Sequence, residues 1–414
     1  MTRPTWRLWP LGARVGEITK ACPMSRIINF PTEEYLARIS RTRAEMSARD
    51  LDFLIVTDPS NMAWLTGYDG WSFYVHQAVL LGLSGEPLWW GRAMDGLGAL
   101  RTVWMRDEAV IGYDDTYVQN PQKHPHETLA DLIRQKGGAR ARIGVELDNY
   151  YYSAAAHKTL EAGLPEAELL DATGLVNWQR AVKSEQEITY MRRAAKIVER
   201  MHNVILERAE VGLPKNALVA EISRASIQGA DGHWGDYPAI VPLTPSGMDA
   251  TAPHLTWDDK PMAQGEATFF EIAGCYRRYH CPQSRTLFLG EPPARYRRAE
   301  EAVLEAVEAG LAQAKPGNFC EDIANAFNAK LNSLGFEKDS RCGYAIGLSY
   351  PPDWGERTMS FRRGDRSVLQ PGMTFHFMPA LWLEDGGLEI TEPILITETG
   401  VECLSSLPRE MFVK

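Results

Sequence analysis

The chain has 414 residues, 44% hydrophobic, 24% charged and 10% aromatic, enough for two domains that each bury a core. Its net charge of −10 excludes nucleic acid or an anionic membrane as the main partner, because both are bound through basic patches. No apolar run approaches the roughly 20 residues that span a bilayer, and six scattered cysteines without a CxxC pair suit reduced thiols in a cytoplasm.

Residues 1–25 read as a disordered leader or an upstream-start extension. The stretch is basic before Glu17, and Arg7, Pro10 and Arg14 break up its apolar residues, which makes a poor signal segment. From Thr32 the pattern becomes regular. Thr32 is placed to cap a helix running to about Ala48, with Glu33 and Glu34 in its first turn. Residues 51–57 then read as a mostly buried strand, with further strands at 78–83 and 143–147 and a helix at 128–134. This predicts an α/β domain over residues 26–180.

A second domain, residues 181–414, opens at Ser184, which forms a capping box with Glu187 three residues on. Behind it Ile188, Met191, Ala195, Val198, Met201 and Ile205 share one helical face, and Gly212-Leu213-Pro214 ends the helix. A second helix follows. Strands are then expected at 268–272, 286–289, 374–379 and 389–397, with helices near 298–314 and 320–334.

Five landmarks of this second domain occur in a telling order: Lys183-Ser184-x-x-Glu187-Ile188, Tyr279 with Ser284-Arg285-Thr286, Gly343-Tyr344-Ala345-Ile346-Gly347, Pro371-Gly372-Met373, and the closing Glu392-to-Gly400 strand. Together they resemble the creatinase/prolidase/aminopeptidase P family. The resemblance runs over roughly residues 27–414 and implies an α/β N-terminal domain followed by an α+β pita-bread domain. Metal-dependent members use two Asp, one His and two Glu around a pair of divalent ions. Registering the landmarks puts Glu271, Pro282, Tyr344, Met378 and Thr391 at those five positions, and a slip of one or two residues brings in Glu389 or Glu392. No slip restores the other positions, so the resemblance implies neither metal nor any other cofactor in catalysis.

Metal-free members resemble creatinase, which breaks a C–N bond with a histidine and carboxylates. Asp249 to His254 resembles the loop carrying that histidine, although Ser284 and Met378 replace two glutamates that creatinase uses. Four longer strings, at residues 58–71, 235–242, 252–259 and 350–359, resemble a branch that opens the ring of a small zwitterionic cyclic amidine. The expected catalytic residues are therefore His254, as proton shuttle, and Glu271, either paired with the amidinium or attacking it as a nucleophile. Arg357 is the expected anchor for the substrate carboxylate. Tyr344, Asp236, Tyr237, Trp354 and Trp71 are the expected remaining substrate contacts, aromatic faces being able to hold a cation. Beside each stands a structural reading: a buried carboxylate, a packed ring, a capped turn, a solvated arginine.

The resemblance further implies a homodimer in which Trp64–Trp71 acts on the other subunit's site, and a separate deacetylase that takes the ring-opened product. Two other readings stay open: a metal-free hydrolase or lyase of another small zwitterion, and a pita-bread protein that binds without catalysis.

Overall fold

The computed structural model describes residues 26–414, so the leader lies outside the described residues. The chain divides into two units between Gln179 and Arg180.

In the first unit the described residues form a six-stranded sheet of β1 (Phe53–Val56), β2 (Ala78–Gly82), β3 (Leu88–Arg92), β4 (Val110–Tyr113), β5 (Arg142–Val145) and β6 (Glu168–Asp171), in the order β4-β3-β2-β1-β5-β6. Because side chains alternate across a strand, each strand feeds two cores. Leu54, Val56, Val79, Leu81 and Trp89 pack with α1 (Thr32–Ala48), α2 (Pro59–Thr66), α3 (Gly96–Thr102) and α6 (Leu175–Gln179). Ile55, Ala78, Leu80 and Trp90 pack on the other face with α4 (His126–Gln135) and α5 (Ala154–Gly163). The α/β expectation is met. Thr32 does not cap α1: the cap position is Pro31, which has no side-chain acceptor, and Thr32 is already the first helical residue. Glu33 and Glu34 occupy the first turn as expected, where the helix dipole favours them.

The second unit begins with α7 (Glu185–Arg208), started by the predicted capping box: Ser184 Oγ accepts from the Glu187 amide, and Glu187 Oε2 accepts from the Ser184 amide at 2.8 Å. After α8 (Lys215–Gln228) comes the long antiparallel hairpin of β7 (Ala267–Tyr276) and β8 (Tyr279–Phe288), buried at every position. α7 lies directly on it. A Cβ on Gly274 would sit 2.1 Å from the Ala194 carbonyl oxygen, so only glycine allows this approach of helix to strand.

A five-stranded sheet completes the unit, with β9 (Gly343–Ile346), β10 (Gly355–Ser360), β11 (Thr374–Phe377), β14 (Glu392–Ile396) and β15 (Val401–Cys403) in the order β10-β9-β11-β14-β15. β12 (Ala380–Leu383) and β13 (Gly386–Glu389) form a short hairpin beside β7 and β8, and β16 (Phe412–Val413) pairs with β8. One face of these strands gives Ala345, Phe375, Phe377, Leu388, Ile390, Ile394 and Ile396 to a core shared with α9 (Ala294–Leu311) and α10 (Cys320–Ser333). Period-two alternation turns Tyr344, His376, Glu389 and Thr391 to the opposite face. This is the pita-bread arrangement, and that second face carries the candidate site.

Candidate active site

Glu271 stands in the apolar run Thr268 to Ala273 of β7, 5% exposed and directly opposite Ser284 on β8. Its backbone is fixed on both edges, because Leu243 exchanges two hydrogen bonds with it on the side away from Ser284. Glu389, at the end of β13, is also buried. Thr286 on β8 holds it there: its Oγ1 donates to the Glu389 carbonyl and accepts from the Glu389 amide at 2.8 Å. Two carboxyl groups therefore meet in a dry interior. Burial, then the neighbouring Glu389, raises the Glu271 pKa well above the ordinary carboxylate range, with Lys338 opposing. Burial raises Glu389 in the same way, opposed by the Ser284 hydroxyl and Lys338. Such a pair titrates as a unit and holds a proton at neutral pH.

Tyr344 fills the place of the expected metal histidine and is also buried. The Trp354 indole donates to its hydroxyl at 2.8 Å, and the same oxygen lies 3.0 Å from His376 Nδ1. His376 Nε2 is 2.7 Å from Thr391 Oγ1, which accepts from the Ser284 amide at 2.7 Å. The chain Trp354–Tyr344–His376–Thr391–Ser284 thus ties β9, β11 and the residues before β14 to β8. Burial, and then Glu271, pushes the Tyr344 hydroxyl well above its ordinary pKa, so it stays protonated beside the carboxyl pair.

His376, His202 and His280 are all fully buried, and desolvation brings each down to about 3. In the unfolded chain they titrate near 6.5. Between these values the unfolded state binds more protons, so stability is present above pH 6.5 and is lost as pH falls toward 3. Each histidine contributes a slope of about 1.4 kcal/mol per pH unit. Glu271 and Glu389 act with the opposite sign above 4.5, because their raised pKa values favour the folded state at low pH and penalise it as pH rises. The net acid loss is therefore steepest between pH 4.5 and 3. Urea midpoints measured from pH 7 to 3 should fall along that course, and His376→Gln should flatten it; an unchanged slope would remove His376 from the account.

The other predicted residues are not all gathered here. His254 is exposed on the loop after a 3₁₀ turn at Gly247–Thr251, and has no hydrogen-bond or ion-pair partner among the described residues. Arg357 is exposed on β10 with a left-handed φ of 55°, unusual for a side-chain-bearing residue and found preferentially at functional positions. Asp236 and Tyr237 attach to the far end of the β7–β8 hairpin. The Asp236 amide donates to the Cys275 carbonyl at 2.9 Å, its carboxylate accepts from the Arg278 amide at 3.2 Å, and the Arg278 guanidinium lies 3.7 Å from the Tyr237 ring centre. Cys275 is four residues along β7 from Glu271, about 13 Å at strand rise. Trp354 is fully buried and holds Tyr344 from behind instead of offering an open ring. In the first unit Trp64 and Tyr68 belong to the core, whereas Trp71 is 58% exposed with its ring against Phe73.

The sequence reaches Glu389 only through a slip in register, and its stretch, Gly386 to Ile396, also holds Glu392, so pattern alone does not single it out. His376 has a signal that sequence reasoning passes over, an ionisable residue in a run otherwise fit for a buried strand, Thr374 to Phe377. Lys338 stands in a polar stretch where a lysine is unremarkable, and the burial that lowers its pKa comes from the fold alone.

Residues 189–398 match the model of metallopeptidase family M24, and residues 38–182 match the creatinase/prolidase N-terminal domain. The chain belongs to family M24. Among its relatives, an ectoine hydrolase of Halomonas elongata is 59% identical over 93% of this chain and 98% of its own length. An uncharacterized hydrolase/peptidase of Sinorhizobium fredii is 41% identical over 94% of this chain and all of its own. Among solved structures, a dipeptidase of Pyrococcus horikoshii superposes with a TM-score of 0.77 over 91% of this chain and its entire length, at 18% identity, which speaks for the fold alone.

M24 enzymes that hydrolyse peptides use divalent ions, and the donors present here do not fit such a pair. Glu271 and Glu389 are the carboxyl groups available. Tyr344 and both His376 nitrogens are engaged with one another and with Trp354 and Thr391, while Pro282 and Met378 offer no oxygen or imidazole ligand. Among the described residues, no three His, Cys, Asp or Glu side chains of this unit converge as a metal would require.

Proposed function

We propose that this chain hydrolyses the cyclic amidine of ectoine, opening the ring to N-acetyl-L-2,4-diaminobutyrate in ectoine catabolism, without a metal ion in the reaction. The observation that carries this reading is the buried Glu271–Glu389 pair, with Pro282, Tyr344 and Met378 standing at positions where the resemblance expects metal ligands. An amidinium is a planar cation with N–H donors. Entering beside two carboxyl groups that retain a proton, it favours their ionised form and gains a charge-assisted hydrogen bond in a dry site. The 59% identity with an ectoine hydrolase supports that substrate over other zwitterions. Hydroxyectoine, which has the same amidine, is a second candidate.

In the reaction, the oxygen of water becomes bonded to the amidine carbon, one ring C–N bond breaks, and the released nitrogen takes up a proton. The water oxygen ends in the acetamide carbonyl. Glu271 either pairs with the cation through this sequence or first bonds to the amidine carbon itself. Glu389, with a raised pKa, is suited to pass the proton. His254 is the other proposed shuttle and must come over the site from an exposed loop to act. Lys338 and Arg357 are the cations available to the substrate carboxylate.

We further propose a cytoplasmic homodimer, with exposed Trp71 reaching the other subunit's site and a deacetylase acting on the product. Cys275, Cys281, Cys320, Cys342 and Cys403 are free thiols, as a reducing compartment favours. Among the described residues no helix is long and apolar enough to cross a membrane.

The decisive experiment incubates the purified chain with ectoine and follows the product by NMR, with and without chelator. N-acetyl-2,4-diaminobutyrate formed at equal rates is the expected outcome; strict dependence on added Mn²⁺ or Zn²⁺ would overturn the metal-free reading. His254→Ala and Glu389→Gln, compared in the same assay, identify the proton carrier by which one loses at least about 100-fold.

A further inference from the structure

Among the described residues one group of three metal-ligating side chains converges, and it lies in the first unit. His76 lies just before β2, and His124 and His126 lie at the start of α4, 48 and 50 residues further along the chain. Their rings meet with centroids 4.6, 4.9 and 5.2 Å apart and planes inclined at 50°, 90° and 48°, so they converge without stacking. One ring nitrogen from each lies within 4.8 Å of the other two. We propose that His76, His124 and His126 bind one divalent transition-metal ion of the Zn²⁺ class in the N-terminal unit, separate from the hydrolytic site.

Imidazole is the ligand type that suits Zn²⁺, Co²⁺, Ni²⁺ and Cu²⁺. A tetrahedral ion with metal–nitrogen bonds of about 2.0–2.1 Å holds its ligand nitrogens about 3.4 Å apart, so no side of the triangle needs to close by more than about 1.4 Å on binding.

Packing alone is the competing explanation, since His126 also lies edge-on to Trp90 at 5.3 Å and Tyr152 at 5.9 Å. It leaves His126 unexplained. That side chain is 1% exposed, and both its ring nitrogens are buried without a hydrogen-bond partner. A buried imidazole with neither nitrogen satisfied is costly, and a metal on one nitrogen removes half of that deficit. Binding has its own cost at His124, whose Nδ1 accepts a long 3.2 Å bond from the His126 amide, because ligation through either nitrogen gives up that bond. His76 and His124 line a cleft of about 200 Å³, bordered by Tyr74, Tyr113, Tyr117 and Lys123, which supplies an entry path and space for a solvent ligand. An ion here cross-links the approach to β2 with α4 and closes a long loop of chain, so it stabilises the first unit.

The test uses the full chain after dialysis against chelator, titrated with Zn²⁺ by calorimetry and with Co²⁺ by visible absorption. Saturation at one ion per chain, a tetrahedral Co²⁺ spectrum and a Zn²⁺-dependent rise in melting temperature are expected. His76→Ala and His124→Ala, both at half-buried positions and so compatible with folding, should each weaken binding by more than the 10–100-fold that loss of a second-shell partner costs. His124→Ala should retain full ectoine turnover, and Glu271→Gln should retain full metal binding. No saturable binding in the parent chain, or binding unchanged in both histidine variants, would overturn the assignment.

Discussion

Replacing Glu271 by glutamine is expected to leave a folded chain whose ectoine turnover has fallen at least about 100-fold, the scale of a lost acid–base or nucleophilic group. Glutamine matches the volume, and burial and Glu389 raise the pKa of the carboxyl it replaces. The substitution removes one of two coupled buried carboxyl groups, so above neutral pH the urea midpoint of the variant should fall less with rising pH than that of the parent. Activity falls because only a carboxylate can pair with an amidinium or bond to its carbon. The two roles separate by measurement. A covalent role predicts an adduct of substrate mass on Glu271 in the quenched parent enzyme, with kcat lost in the variant. An ionic role predicts no adduct and a loss carried mainly in KM. Near-normal kcat/KM would reduce Glu271 to a core residue.

The second large effect is on stability. Arg285→Met should cost about 3–5 kcal/mol in urea unfolding, as breaking a buried ion pair does. Arg285 is 1% exposed and donates to Glu392 at 2.6 Å, to the carbonyls of Pro408, Ser284 and Leu407 at 2.8, 3.0 and 3.2 Å, and to the Thr391 carbonyl. Methionine fills the volume of the stem but takes the donor from the Thr391 and Leu407 carbonyls, while the Ser284 carbonyl keeps the Thr391 amide at 3.1 Å and Glu392 keeps Arg409 at 3.1 Å. Arg285→Lys should not rescue it, because one ammonium cannot reproduce a fork reaching five acceptors. Ser284 and Thr391 are both on that fork and both in the hydrogen-bond chain behind Tyr344, so the variant should lose activity as it loses stability. A midpoint within experimental error of the parent would show that the network is dispensable.

Much of the site could be read in the sequence where chemistry clashes with pattern. Glu271 is an acid in Thr-Phe-Phe-Glu-Ile-Ala-Gly, and the structure buries it as that clash implies. Ser184 with Glu187 announced α7, and the box is formed. Glu389 was less legible: registering the closing strand by its landmarks lands on Thr391, and a strand's period of two allows either residue onto the same face. In the fold both face inward, Glu389 toward Glu271 and Thr391 bonded to Ser284 and His376.

The sequence by itself determined the α/β character of the first domain and the start of the second, because those depend on local pattern and on turn and cap residues. Its resemblance to the creatinase/prolidase/aminopeptidase P family implied the rest: the pita-bread architecture and side chains other than the usual metal ligands at the registered positions. Only the tertiary structure decided which charged residues share an interior. Burial is a property of what packs around a group, so the raised carboxyls of Glu271 and Glu389, the neutral His376 and the lowered Lys338 exist only once β7, β8, β9, β11 and β13 are assembled. The meeting of His76 with His124 and His126 is of the same kind: 48 residues of chain hide it, and strand pairing together with the start of α4 brings it about.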